Sequence, residues 1–173
     1  MILIALVTGQ RCQSIHLMDL TSMQKTNEKF RFIINKIIKT SGPGKRQPVL
    51  FLPKFTPNDK RCVYSYIEEY IDGTAILRGS QTGLFISIFK PHKVVTSSTI
   101  SRWVKTGLGE AGIDTSVFAA HSTRSASSSA AKRASTPLSS ILRAGTWASS
   151  STFRLFYEKP IDNEDNFALA ILK

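Results

Sequence analysis

The chain has 173 residues, 42% hydrophobic and 20% charged, with a formal net charge of +11 at pH 7. That is enough for one domain with a sizeable core, and the composition is that of an ordinary soluble globular protein. The opening apolar run, residues 1–7, is far too short for a membrane span, and Cys12 and Cys62 fit neither a metal spacing nor a disulfide framework, so both read as thiols in a reducing compartment.

The charge is unevenly placed. Asp162, Glu164 and Asp165 take three of the twelve acids, leaving 22 Lys/Arg against 9 Asp/Glu over residues 1–161. Residues 29–58 hold seven cations and no acid, and residues 121–161 hold six cations and one acid, Glu158. Such a field favours a polyanion, with counterion release from DNA as its usual driving term.

In chain order, the apolar run stops at Thr8-Gly9, a helix end that delivers Arg11 onto a loop. It resembles the last turns of a core helix, so the chain is expected to be a fragment or the product of a truncated gene model. A short helix follows, with Ile15, Leu17, Met18 and Leu20 as its apolar side. Residues 30–38, rich in β-branched residues, predict a strand. Residues 40–44 (Thr-Ser-Gly-Pro-Gly) make a turn, and residues 48–53 return as the partner strand. Lys39 is thereby expected at the end of the first strand of a basic hairpin.

Asn58-Asp59 is expected to cap a helix reaching about Ile71, with Val63, Ile67, Tyr70 and Ile71 as its buried stripe. Residues 83–88 predict a short buried strand. Ser97 or Ser98 opens a helix carrying Ile100, Trp103, Val104 and Leu108, which ends near Gly109–Gly112. His121 starts a small-residue helix reaching Arg133. Pro137 and Gly145 bracket the next helix, and a last one covers residues 149–157. The sum is an α+β domain, mostly helical, with a small antiparallel sheet at one edge.

The residues that carry chemistry sit late in the chain. His121 and Arg124 are three apart at a helix start and so share a face. Trp147 follows, then Phe153, Phe156 and Tyr157. Phe153 and Phe156 are expected to pack together and leave Tyr157 on another face, free to leave the core. His16 and His92 read as structural. With Arg11 of Thr8-Gly-Gln-Arg11 and Lys39 before the Gly-containing turn, this set resembles the catalytic residues of the tyrosine recombinase (phage integrase-like) family, in the family's order from Arg11 to Tyr157.

The resemblance implies a catalytic domain over 1–160 and a tail over 161–173 that docks on a neighbouring protomer. It implies a site-specific recombinase or integrase that breaks and rejoins DNA through a 3′-phosphotyrosyl link, without metal, ATP or other cofactor. Tyr157 would be the nucleophile. Arg11 and Arg124 would clamp the phosphate, since a guanidinium fork donates paired hydrogen bonds and keeps its charge. Lys39 would protonate the leaving 5′ oxygen, with Lys36 and Lys45 as rivals. His121 would take the tyrosine proton or bind the phosphate. Trp147 stands where many relatives carry a second histidine, and its indole N–H would donate to the phosphate. Lys36, Lys45, Arg46, Lys132 and Arg133 would add DNA-backbone contacts.

The implied partners are double-stranded DNA and, in the full-length protein, three more protomers forming a tetramer on two duplexes, with no membrane. Without an upstream clamping domain, DNA binding is expected to be weak and salt-sensitive.

Two features depart from the family's pattern. Ser14 stands where an acid usually orients the first arginine, so Arg11 is expected to be held less rigidly, or by Gln13 or Asp19. The ten-residue step from Trp147 to Tyr157 resembles eukaryotic Crypton and DIRS-like mobile elements, which implies a nuclear site of action; a bacterial copy would work at the nucleoid. The competing readings are a catalytically inactive DNA-binding module domesticated from a mobile element, and a nicking-closing enzyme like the type IB topoisomerases.

Overall fold

The computed structural model describes residues 1–39, 41–44, 47–147 and 149–157, with Thr152 and Phe156 placed by backbone alone. Lys45, Arg46 and the 161–173 tail lie outside the described residues. The fold is a mostly helical α+β domain with one small antiparallel sheet, as the sequence predicts.

Helix α1 (Ile2–Thr8) ends because Gly9 takes the left-handed conformation, φ 59°, while its N–H returns to the Ala5 carbonyl at 3.0 Å. The turn leads directly into α2 (Cys12–His16), with Arg11 as its extended N-cap residue. A 3₁₀ turn at Leu20–Ser22, capped by the Asp19 carboxylate, precedes the sheet.

Strands β1 (Met23–Lys25), β2 (Lys29–Ile33) and β3 (Val49–Pro53) pair antiparallel in that order. Phe30 faces Leu52 and Phe32 faces Leu50, all four buried. Arg31 and Phe51 pair on the other side, where Phe51 is exposed. This alternation turns one face of the sheet into the core, where Phe30 stacks on Tyr64 at 4.5 Å.

The hairpin differs from the expected one. β2 stops at Ile33, and the last ladder-like bond runs from the Ile34 N–H to the Pro48 carbonyl at 3.0 Å. Pro48 has no N–H to return, so the ladder cannot continue. Ile38 instead turns inward, with its N–H held by the Ser41 hydroxyl. Lys39 therefore lies in the connecting loop, not at a strand end.

Helix α3 spans Val63–Arg78, seven residues beyond the expected stop, after a separate 3₁₀ turn at Asp59–Arg61. Asn58 supplies no side-chain cap to either. Residues 83–88 are buried at Leu84, Phe85 and Ile86 but form only isolated bridges, because their backbone bonds go to neighbouring loops (Leu84 N–H to Met18, Val95 N–H to Phe85).

The remaining helices are α4 (Ser97–Glu110), capped by Thr96, α5 (Ser122–Arg133), α6 (Leu138–Gly145) and α7 (Ser150–Phe156). α4 packs on α1 and α2, and α5 packs on α1 and α6. This arrangement brings the Gly9–Arg11 turn against the first turn of α5 and the end of α6. No helix among the described residues is long and apolar enough to cross a membrane.

Candidate active site

The site is assembled around Arg124, whose side chain is 1% exposed on the first turn of α5. Its two terminal nitrogens donate to backbone carbonyls from opposite ends of the chain, Gly9 at 2.5 Å and Gly145 at 3.1 Å. Both carbonyls close a helix: Gly9 sits in the αL turn after α1, and Gly145 ends α6, where its carbonyl also accepts the Thr146 hydroxyl at 2.7 Å. The αL residue Thr146 (φ 55°) then reverses the chain, and Trp147 folds back over the helix end. A Cβ on Gly145 would overlap the Trp147 ring, so only glycine fits that corner.

Tyr157 follows α7, with its N–H bonded to Phe153 at 2.9 Å and its carbonyl accepting from the Ser128 hydroxyl of α5 at 3.4 Å. Its ring does not stand apart from the core as expected. It is half-buried and meets Trp147 edge-on at 5.2 Å, and buried Phe153 meets the same indole edge-on at 5.1 Å. The αL turn at Thr146 causes this, since it sets the indole beneath α7. The side chain of Phe156 lies outside the description.

The Arg124 guanidinium caps the stack, 4.4 Å from the Trp147 ring centre and 5.2 Å from that of Tyr157. Burial, then the neighbouring charge of Arg11, push its pKa down to about 10, with Tyr157 pulling the other way. Arg124 therefore remains a cation at neutral pH. Its Nε, the Trp147 Nε1 and the Gln10 Oε1 are buried with no hydrogen-bond partner among the described residues. Two of these are N–H donors, on the two side chains that meet the tyrosine ring.

The other expected residues fall around this cluster. Arg11 is half-buried at the start of α2, close enough for its charge to act on Arg124. Neither Gln13 nor Asp19 holds it. The Gln13 carboxamide accepts the Lys39 backbone N–H at 3.3 Å, and the Asp19 carboxylate is taken by Thr21 and Thr82. The Gln13 contact ties the Lys39 loop to the helix that Arg11 begins. The Lys39 side chain is exposed.

His121, the N-cap residue of α5, is exposed, and its carbonyl accepts the Arg124 N–H at 3.1 Å. The helix start thus splits the pair, with one residue buried and one facing outward. Lys132 and Arg133 end α5 on the surface, and Lys36 is exposed near Asp19.

The sequence reasoning passed over Gln10, which is buried between Gly9 and Arg11 and donates through Nε2 to the Ala144 carbonyl at 2.5 Å. It ties the Arg11 turn to the helix end beneath Trp147. A polar residue directly after an αL glycine was the signal available.

No protein-family model matches the sequence, and no curated protein does. Solved structures do match in fold. A XerH site-specific recombinase bound to its difH substrate in a pre-cleavage complex has a TM-score of 0.69 at 17% identity over 98% of this chain and 44% of that one. XerA recombinase gives 0.70 at 17% identity, over 98% and 54%. A lambda integrase tetramer bound to a Holliday junction gives 0.53 at 15% identity, over 93% and 42%. The chain spans about half the length of these proteins or less, and it shares its fold with them.

Proposed function

We propose that the chain is the strand-cleaving and rejoining domain of a site-specific tyrosine recombinase acting on double-stranded DNA. One observation carries the reading: two buried, unpartnered N–H donors, Arg124 Nε and Trp147 Nε1, lie beside the half-buried Tyr157 ring. A buried donor without an acceptor costs about 1–3 kcal/mol, and a phosphate oxygen is the acceptor such a cationic, aromatic corner suits. The shared fold supports the same reading, since the XerH and lambda integrase structures are DNA complexes.

In this mechanism Arg124, through its unpartnered Nε, and Arg11 take the non-bridging oxygens of the scissile phosphate, where charge accumulates during phosphoryl transfer. The Tyr157 hydroxyl attacks phosphorus in line as the bond to the 5′ oxygen breaks. The phenol proton passes to His121, and Lys39 gives a proton to the leaving 5′ oxygen. One phosphate ester replaces another, so the bond energy is kept in the 3′-phosphotyrosyl link. A 5′-hydroxyl from a second strand then attacks, giving its proton back to Lys39, and Tyr157 leaves as it recovers its own from His121. Each step uses residues of this chain, with no ATP, metal or cofactor. Four protomers on two duplexes, a Crypton or DIRS-like origin and action in the nucleus complete the proposal.

The test is a denaturing gel on nicked duplexes. The wild-type chain should give a slower DNA-protein band that proteinase removes, and Tyr157→Phe should give none. A band retained by Tyr157→Phe would overturn the assignment.

A further inference from the structure

The segment joining α3 to α4 carries a feature that the reaction does not use. From Gly73 to Gly109 the sequence has no acid, and its cations include Lys90 and Lys93. Between the bridged residues Ile86 and Val94 the chain makes a tight protruding loop. Its stalk is anchored at buried Ile86, whose N–H and carbonyl both bond the Tyr70 hydroxyl, at 3.0 and 3.3 Å.

The tip is braced from within. The Ser87 N–H bonds the Lys93 carbonyl at 2.9 Å, and the Ser87 hydroxyl donates to the Phe89 carbonyl at 2.9 Å while accepting the Phe89 N–H at 3.1 Å. The His92 N–H bonds the Phe89 carbonyl, and its Nδ1 lies 3.1 Å from the Ser87 carbonyl. A carbonyl only accepts, so that nitrogen carries the hydrogen.

This frame holds two large apolar side chains out in water. Ile88 is 63% exposed and Phe89 76% exposed, with Lys90 and Lys93 exposed beside them. An adjacent apolar pair on an internally bonded loop marks a contact surface. The segment itself holds cations and no acid, a balance that favours a polyanion, with Asp19 as the acid nearest its base. Isoleucine and phenylalanine offer no donor or acceptor to read major-groove base edges, whereas apolar side chains between phosphate-binding cations suit the minor groove. Val94–Thr96, which lead from the loop into α4, line a hollow of about 410 Å³ together with His16, Asp19 and Lys36. The segment that follows the loop therefore stands beside His16, the last residue of α2, and beside Lys36.

The geometry points to the 87–93 loop as a second DNA contact, with Phe89 and Ile88 pressed into the minor groove and Lys90 and Lys93 on the flanking phosphates. This rests on the DNA-acting reading above and adds a positioning element outside its chemistry.

Fluorescence anisotropy of the 173-residue chain on a labelled duplex, across a salt series, tests it. The pair Ile88→Ser and Phe89→Ser should weaken binding about tenfold at fixed salt and leave the salt slope unchanged. The pair Lys90→Gln and Lys93→Gln should flatten the log–log salt slope by about 2. All four side chains are exposed, so unchanged melting curves show that the fold is intact. Wild-type binding with both variants indistinguishable from it overturns this inference alone. No duplex binding by the wild type overturns the recombinase reading as well. Normal DNA binding by the serine variant, with loss of wild-type binding to polyglutamate, overturns it in favour of an acidic protein partner.

Discussion

The guanidinium of Arg124 lies 4.4 Å from the ring centre of Trp147, held there by carbonyls of Gly9 and Gly145 that are far apart in sequence. The same arginine thus closes the fold and faces the tyrosine. Replacing it should cost stability as well as activity. Arg124→Ala leaves the buried Gly9 carbonyl unpaired, while the Gly145 carbonyl keeps the Thr146 hydroxyl at 2.7 Å, and should lower unfolding stability by about 1–3 kcal/mol. Arg124→Lys keeps the charge, loses the fork and should fall between. Urea denaturation of the three proteins gives the order, and an alanine variant as stable as wild type would contradict the tethering.

Two glycines in helices separate packing from propensity. Gly145→Ala drives a methyl group into the Trp147 ring, and should destabilise by about 1–3 kcal/mol and abolish adduct formation. Gly73 in α3 is exposed with open space around it, so Gly73→Ala should stabilise by about 0.5–1 kcal/mol. Thermal melts of both variants should move in opposite directions.

Lys39 is assigned to protonating the leaving oxygen. Lys39→Ala should slow cleavage of an ordinary phosphodiester by about 10²–10⁴. It should cleave a substrate with sulfur at the 5′ bridging position nearly as fast as wild type, because a thiolate leaves without a proton. Equal defects on both substrates would reduce Lys39 to a phosphate contact.

Asp19 ties the 3₁₀ turn to Thr82. Burial raises its carboxyl pKa, but hydrogen bonds from Thr21 and Thr82 and the charge of Lys36 outweigh this and hold it below the usual range. A depressed folded-state pKa contributes stability that is complete above the unfolded value, about 3.9, and is lost as pH falls through the folded one. Asp19→Asn should therefore be less stable at neutral pH and converge on wild type in acid. Melting curves between about pH 7 and about pH 3 test the sign.

The sequence was legible wherever a local signal dominates. The αL glycine after α1, the threonine-serine start of α4 and the small-residue run of α5 place those helices to within a residue or so. It misled where apolar runs have no strand partner. Ile34 and Ile38 extend the β-branched pattern of β2, yet Pro48 ends the ladder and the second isoleucine turns into the core. β1 is three residues with no apolar alternation, so only its pairing with β2 reveals it. α3 runs through Gly73 because Thr74 bonds the Tyr70 carbonyl and Arg78 satisfies the loop carbonyls of Gly83 and Leu84.

For the candidate site, the sequence supplies the proposed residues and their order. The burial of Arg124, the exposure of His121 and the part played by Gln10 were not legible in it, because each depends on contacts between distant segments.

The most direct test is peptide mass spectrometry of the covalent product trapped on a nicked duplex. The account predicts a nucleotide-bearing peptide with the modification on Tyr157, joined through a 3′ phosphate. A modification on Tyr64, Tyr66 or Tyr70, or DNA binding with no covalent product at all, would contradict it.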